Sequence, residues 1–426
     1  MPALGALVAE PLFLLTDTAL VGHLGTDVLG GLSIGSALLQ TIIGLLIFLA
    51  YATTPAVARR LGSGDRAGAI RAGIDGMWLA IGIGALLLVA GMPTSEWLVG
   101  LFGADPAVTA AAHTYFSVSL WGIPGMLIVI AANGLLRGLQ DTRTPLVVAT
   151  VGFAANAALN VLFIYGFGWG IAGSAFGTVL AQWAMAIVYI VMAVRAARAA
   201  GTTLRPGLAG VRSAAGSGWW LFLRTASLRA AMLATVFVGT GLGVSELAAL
   251  QVALTVFSTL AFILDALAIA GQALIGHGLG ANDPERVKQI TRRLILHGLV
   301  SGLALGALVA ALAPVTGFVF TSDAVVRSMI AVTMFVMAFG LALAGYVFVL
   351  DGVLIGAGDA KYLAITGFVN LAMYLPLLLL VPLASADVAL YWLWAAFGFG
   401  YIGARALTLG LRARGDKWII TGATRN

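Results

Sequence analysis

Residues 294–312 read LILHGLVSGLALGALVAAL, and in this run only His297 and Ser301 carry a polar side chain. A helix needs about 20 such residues to cross a hydrocarbon core of ~30 Å. The run is therefore read as a membrane span, and Ile42 to Ala52, Ile81 to Gly91 and Leu371 to Leu383 lie in segments of the same kind. Across all 426 residues 61% are hydrophobic and only 9% are charged, which excludes a soluble globular fold of this length. Lipid offers the backbone no hydrogen-bond partner, so each span must satisfy its own amides as a helix. The segments are too long and too uniformly apolar for barrel strands. The expected fold is all-α and integral to the membrane, with twelve transmembrane helices.

Outward from that run, the charges fall on one side. Arg286, Lys288, Arg292 and Arg293 precede it, and three other connections carry Arg59, Arg60, Arg66 and Arg71, then Arg137 and Arg143, then Arg195, Arg198, Arg205 and Arg212. The opposite connections carry Asp27, Glu96, Asp105, Glu246, Asp323 and Asp387, with Arg327 as their one basic residue. The positive-inside rule makes the basic side cytoplasmic, with both termini there and the net charge of +6 explained without nucleic acid. The 55 glycines fall inside the spans as often as at their ends, where they let helices approach closely. With no cysteine and four scattered histidines, no thiol or metal chemistry is expected, and no Walker motif or Ser/His/Asp arrangement is present. The chain is not read as an enzyme.

One constant offset relates the two halves. Leu61, Gly62 and Asp65 recur in the second half as Leu279, Gly280 and Asp283. The same offset pairs Leu24, Gly25 and Leu29 with Leu242, Gly243 and Leu247, and Phe102 and Asp105 with Phe320 and Asp323. It also pairs Gly134, Gly138 and Asp141 with Gly352, Gly356 and Asp359. Six spans per repeat is an even number, so the halves are parallel repeats, and a cleft between two lobes is the expected site. The expected organisation is a first lobe over 1–194, a basic linker over 195–217, a second lobe over 218–410 and a basic tail over 411–426. Glu10, Pro11 and Asp17 interrupt the first apolar stretch, which argues against a signal peptide. The repeat places the start of the first helix at residue 1, as expected of a trimmed chain or a misassigned start.

Charges within spans are costly, so each is a functional candidate. Glu10 and Asp17, two helical turns apart, share one face of the first helix, which should line a cavity. In that setting carboxyl groups can take up and release protons under physiological conditions. Pro11 removes one backbone hydrogen bond between them, a point where the helix can bend or a static kink. Asn156 and Asn160, at i and i+4, face the same way at the depth of Asp17, and Thr178 comes to similar depth. Together they form a polar chamber able to accept a cation or bond a protonated carboxyl; the alternative at each position is a structural hydrogen bond between helices. In the second lobe Asp265 and Gln272 share a face, and Asp351 lies at the cytoplasmic end of the tenth span. Arg224 and Arg229 are read as the arginines at membrane depth, free to snorkel or to pair with these acids.

The run Leu15-Thr16-Asp17-Thr18-Ala19 followed by Val21-Gly22-His23-Leu24-Gly25 resembles the first-helix signature of the multidrug and toxic compound extrusion (MATE) family, in its DNA-damage-inducible protein F (DinF) branch. Leu350-Asp351-Gly352, Ile355-Gly356-Ala357 and Arg405-Ala406-Leu407 are similar to later signatures of that branch. The resemblance implies a V-shaped pair of six-helix lobes that exports organic, often cationic or amphipathic, molecules in exchange for protons or sodium ions. It implies that Asp17 is the first-helix acid, and that Asn156 and Thr178 are chamber residues. Asn160 stands where many relatives carry an aspartate, with Glu10 as the candidate substitute, and Gln272 replaces an acid found in some members. The expected activity is secondary antiport by alternating access, with the proton favoured over sodium because the chamber holds few carboxylates. The rivals are sodium coupling, a lipid-linked precursor flippase and an integral-membrane transferase. No cofactor and no nucleic acid are expected, and the chain is expected to be a monomer in the inner membrane with a small-molecule substrate.

Overall fold

A computed structural model of the chain describes residues 16–424, and these are helical nearly throughout. They divide into two compact units, Met1–Gly218 and Trp219–Asn426. In the first unit α1 occupies 16–22 among the described residues. It is followed by α2 (Thr26–Leu46) and α3 (Phe48–Gly62), which continue one another, and by α4 (Arg66–Gly100). Next come α5 (Pro106–Leu120) and α6 (Ile123–Gly138), bent by 52° where they meet. The unit then runs through α7 (Arg143–Val161), a π-helical turn at Leu162–Gly166, and α8 (Gly170–Ala199). The second unit takes up most of α9 (Leu208–Thr240), then α10 (Val244–Gly280), α11 (Pro284–Phe320), α12 (Ala324–Gly356) and α13 (Ala360–Leu380). It ends in α14 (Ala386–Ala395) and α15 (Ile402–Arg414), joined by a π-helical stretch at Ala396–Tyr401. Nine runs among the described residues are long and apolar enough to cross a membrane, and the bent α5–α6 pair is a tenth. Among the described residues α1 precedes these spans and the broken α14–α15 run follows them.

Residues 294–312 form the middle of α11, and their glycines decide its packing. A Cβ on Gly298 would stand 2.6 Å from the carbonyl oxygen of Gly345, and one on Gly306 2.6 Å from that of Ala338, so α11 and α12 touch backbone to backbone. The other face of α11 turns Leu296, Val300 and Leu303 outward, more than half exposed, as a lipid-facing surface requires. The repeat is visible in backbone conformation as well. Gly25 and Gly243, partners in the repeat, both precede a helix at positive φ (131° and 145°), a conformation other residues rarely adopt. Asp65 accepts from the amide of Gly68 at 2.7 Å, and its repeat partner Asp283 from that of Arg286 at 3.0 Å, each capping the helix that follows.

Two connections are more ordered than their composition suggests. Most of the stretch expected as a linker, 195–217, is helix: α8 runs to Ala199, α9 starts at Leu208, and only 200–207 lies between. That short segment is fastened to α4, where Trp78 Nε1 donates to the Leu204 carbonyl at 2.9 Å and the Gly207 amide donates to Asp75 at 2.8 Å. Asp75, buried beside the start of α9, thereby offers a negative charge to the helix N-terminus. The tail is fastened in a similar way. Trp418 is 1% exposed, the Gly422 amide donates to the Leu279 carbonyl at 2.9 Å, and Lys288 lies 3.2 Å from Asp416.

Candidate functional site: a buried carboxylate beside an uncharged cavity

Asp17 on α1 is 3% exposed. Burying a carboxylate is tolerable only when its oxygens are hydrogen-bonded, and three side chains from three helices do this. Ser174 Oγ on α8 donates to Oδ1 at 2.6 Å, Asn160 Nδ2 on α7 donates to the same oxygen at 2.9 Å, and the Tyr115 hydroxyl on α5 donates to Oδ2 at 3.3 Å. All three donors are uncharged.

Helical periodicity sets the next layer. Asn156 lies one turn before Asn160, and Thr178 one turn after Ser174, so each pair presents polar atoms along one helix face. Asn160 Nδ2 also donates to Asn156 Oδ1 at 3.2 Å, and Asn156 Nδ2 donates to Thr178 Oγ1 at 3.0 Å. The chain of bonds thus runs from Asp17 through both asparagines to Thr178. A side chain on Gly177 would collide with Asn160 Oδ1, so glycine there admits the amide against α8. Asn160 Oδ1 itself is buried without a hydrogen-bond partner. Immediately after α7 the π turn brings the Tyr165 hydroxyl to the Leu20 carbonyl on α1, 2.6 Å away. Such π turns recur at functional sites because they re-aim side chains within a helix.

The inner end of this network opens on a cavity of about 90 Å³. Ser36, Gln40, Tyr115, Asn156, Thr178 and Gln182 give it polar atoms, and Met126, Phe153 and Met185 are among the apolar residues that line the rest. No lining residue is charged. Tyr115 and the Asn156–Thr178 pair belong to both cavity and carboxylate network, so a change of charge at Asp17 is one hydrogen bond away from whatever occupies the space.

The structure therefore brings Asp17, Asn156, Asn160 and Thr178 together as the sequence suggested, and adds Ser174 and Tyr115. Glu10 and Pro11 lie outside the described residues. In the second unit the expectations fare differently. Asp351 on α12 pairs with Arg224 of α9 and lies 3.2 Å from Arg405 of α15. Arg405 is 8% exposed, so the expectation that arginines at membrane depth are limited to Arg224 and Arg229 is corrected. Arg229 is exposed and Asp265 half-buried. Gln272 is 1% exposed, and neither atom of its amide is hydrogen-bonded. Asn370 and Thr408 bond one another at 3.2 Å beside the Arg224–Asp351–Arg405 cluster.

The description MatE is that of a family model that matches residues 2–162 and 225–380. Protein DETOXIFICATION 45, chloroplastic, of Arabidopsis thaliana is 27% identical over 388 residues, which are 85% of this chain and 69% of that protein. The DNA damage-inducible protein F of Escherichia coli (strain K12) is 27% identical over 297 residues, 68% of this chain and 65% of that protein. In fold, the Vibrio cholerae MATE transporter VcmN in its bent form superposes with a TM-score of 0.88 at 20% identity, over 99% of this chain and 96% of that one. A match across both units, on a fold built for the membrane, leaves one assignment: the chain belongs to the MatE family of multidrug-efflux transporters and is not an enzyme.

Proposed function

We propose that this transporter is a proton-coupled antiporter that exports small cationic or amphipathic organic compounds by alternating access, with Asp17 as the coupling group and Asn156, Asn160 and Thr178 as its chamber. The observation that carries this reading is the shell of Asp17, a buried carboxylate held by uncharged donors alone among the described residues. A proton can neutralise such an acid without stranding a partner cation. The cavity beside it has amides, hydroxyls, thioethers and two aromatic rings, which suit a compound with apolar bulk and few hydrogen-bonding groups. A sodium ion would need several oxygen lone pairs directed at it. Here three hydrogens are directed at the carboxylate instead, and the unpartnered Asn160 Oδ1 is the one oxygen that favours sodium as a second reading.

The basic connections give the orientation. With Arg59, Arg60, Arg137 and Arg293 on the cytoplasmic side, both termini are cytoplasmic, the membrane is the inner one, and Asp17 lies toward the outer surface. The chain acts as a monomer. The test is efflux of ethidium from everted vesicles while the proton gradient and the sodium gradient are collapsed separately. Loss on collapsing only the proton gradient, together with loss in Asp17→Asn, supports the reading; efflux that survives in Asp17→Asn removes Asp17 from coupling, and dependence on sodium alone replaces the ion.

A further inference from the structure

Asn160 stands beside Asp17 where a second acid would serve coupling, and an amide has no proton to exchange. The structure offers another group there. Ser174 Oγ makes the shortest contact to Asp17, 2.6 Å, and Ser174 is 0% exposed on the face of α8 that also carries Thr178. Among the groups on Asp17 Oδ1 it alone can both donate and accept, since the Asn160 nitrogen only donates.

Among the described residues Asp17 Oδ1 takes two donated hydrogens and Oδ2 one, and Asn156 donates to Thr178. Of the donors on Oδ1 only the serine hydroxyl can turn round to accept, so the carboxyl can take up one more hydrogen without losing that contact. We propose that Ser174 is a positioning residue for the coupling proton: its hydroxyl donates to the ionised Asp17 and reverses to accept from the protonated one. The proton that enters resides on Asp17, whose O–H then points at Ser174 Oγ. The serine hydrogen turns to the Gly170 carbonyl one turn back, an acceptor that helical serines commonly use. No bond other than the hydrogen bonds changes, and the carboxyl gains the one positive charge. The proposal rests on the reading of Asp17 as the coupling group.

Tyr115 is the only other titratable side chain bonded to Asp17 among the described residues; from α7 and α8 only the neutral Asn160 and Ser174 reach it. The test is infrared difference spectroscopy of the lipid-reconstituted protein through a pH titration, following the carbonyl stretch of the protonated carboxyl in wild type, Asp17→Asn, Ser174→Ala, Ser174→Cys and Ser174→Thr. The band belongs to Asp17 if Asp17→Asn abolishes it. In Ser174→Ala and Ser174→Cys the band then moves to higher frequency and its midpoint shifts to alkaline pH by about one unit, the size of one charge-assisted hydrogen bond. Ethidium transport driven by an imposed pH gradient falls about tenfold in both, and Ser174→Thr returns the midpoint. An unchanged band and midpoint in Ser174→Ala overturn the role of Ser174 while leaving Asp17 in place. Equal impairment of all three serine variants overturns it in favour of plain packing. A band that persists in Asp17→Asn removes the coupling reading itself, and Ser174 with it.

Discussion

The two units carry their buried charge at different places in the same repeat. In the first, Asp17 sits among a serine, an asparagine and a tyrosine. Its repeat partner is Thr235, which bonds the Tyr374 hydroxyl at 2.7 Å, and Tyr374 is in turn the partner of Asn156. In the second unit Asp351, buried along α12, is held by two guanidinium groups, while Asp359, buried at the end of the same stretch, pairs with Arg412. The partner of Asp351 in the first unit is Asn133, which accepts from the Tyr189 hydroxyl at 2.7 Å. Backbone and spacing were kept while the chemistry was exchanged. A carboxylate between two arginines is fixed as an anion, because a proton there would leave guanidinium charge uncompensated. A carboxylate among neutral donors has no such tie. One site is built to hold a charge and the other to change one.

The contrast is broken most directly by exchanging each acid for its amide. Asp17→Asn should reduce pH-gradient-driven efflux to background while the thermal midpoint of the detergent-solubilised protein stays close to wild type. Asp351→Asn should do the reverse in order of severity, destabilising the second unit by about 3–5 kcal/mol as two buried arginines lose their anion. Its measure is thermal unfolding, and an unaltered melting profile would show that the cluster holds nothing together. Thr235→Val sharpens the contrast from the neutral side. It leaves the Tyr374 hydroxyl without its partner, costs about 1–3 kcal/mol in unfolding, and leaves the pH midpoint of efflux where it was.

The smallest effect concerns the turn before α7. Asp141 accepts from the amides of Arg143 and Thr144, both at 3.0 Å, and from the Thr144 hydroxyl at 2.6 Å. Partial burial pushes its carboxyl up, but these bonds and the nearby Arg143 charge outweigh it and hold the group below its usual range. A depressed acid stabilises the fold above its unfolded pKa, and that stability is lost as the pH falls through the folded value. Asp141→Ala should therefore cost about 1 kcal/mol at neutral pH and progressively less in acid, read from melting temperatures across a pH series.

Membrane physics makes much of this legible in the sequence. Spans announce themselves by length, one constant offset announces the repeat, and Asp17, Asn156, Asn160 and Thr178 stand out as polar groups in apolar runs. Ser174 does not, because a serine hydroxyl can satisfy itself on its own helix backbone, and Tyr115 does not, because its ring reads as apolar packing. The i, i+4 rule applied backward from Thr178 reaches Ser174. Arg405 reads as part of a motif near the end of the last span, and its depth shows only in the packing of α15 against Asp351. Asp75 lies close to a basic connection and belongs to no motif, although it holds the segment at Gly207. The linker is helical for a reason composition hides, since arginines and alanines favour helix as readily as solvent.

The Arg224–Asp351–Arg405 cluster also bears on how the chain is made. Its members come from the first, fourth and last passes of the second unit, so each charge enters the membrane before the set is complete. Arg224 waits for Asp351 through the synthesis of α10 and α11, and the pair then waits for Arg405 in the last helix. The ribosome has nearly finished when the second arginine arrives. A chain cut short before α15 leaves Arg224 and Asp351, two of the three members, without the helix that completes their cluster.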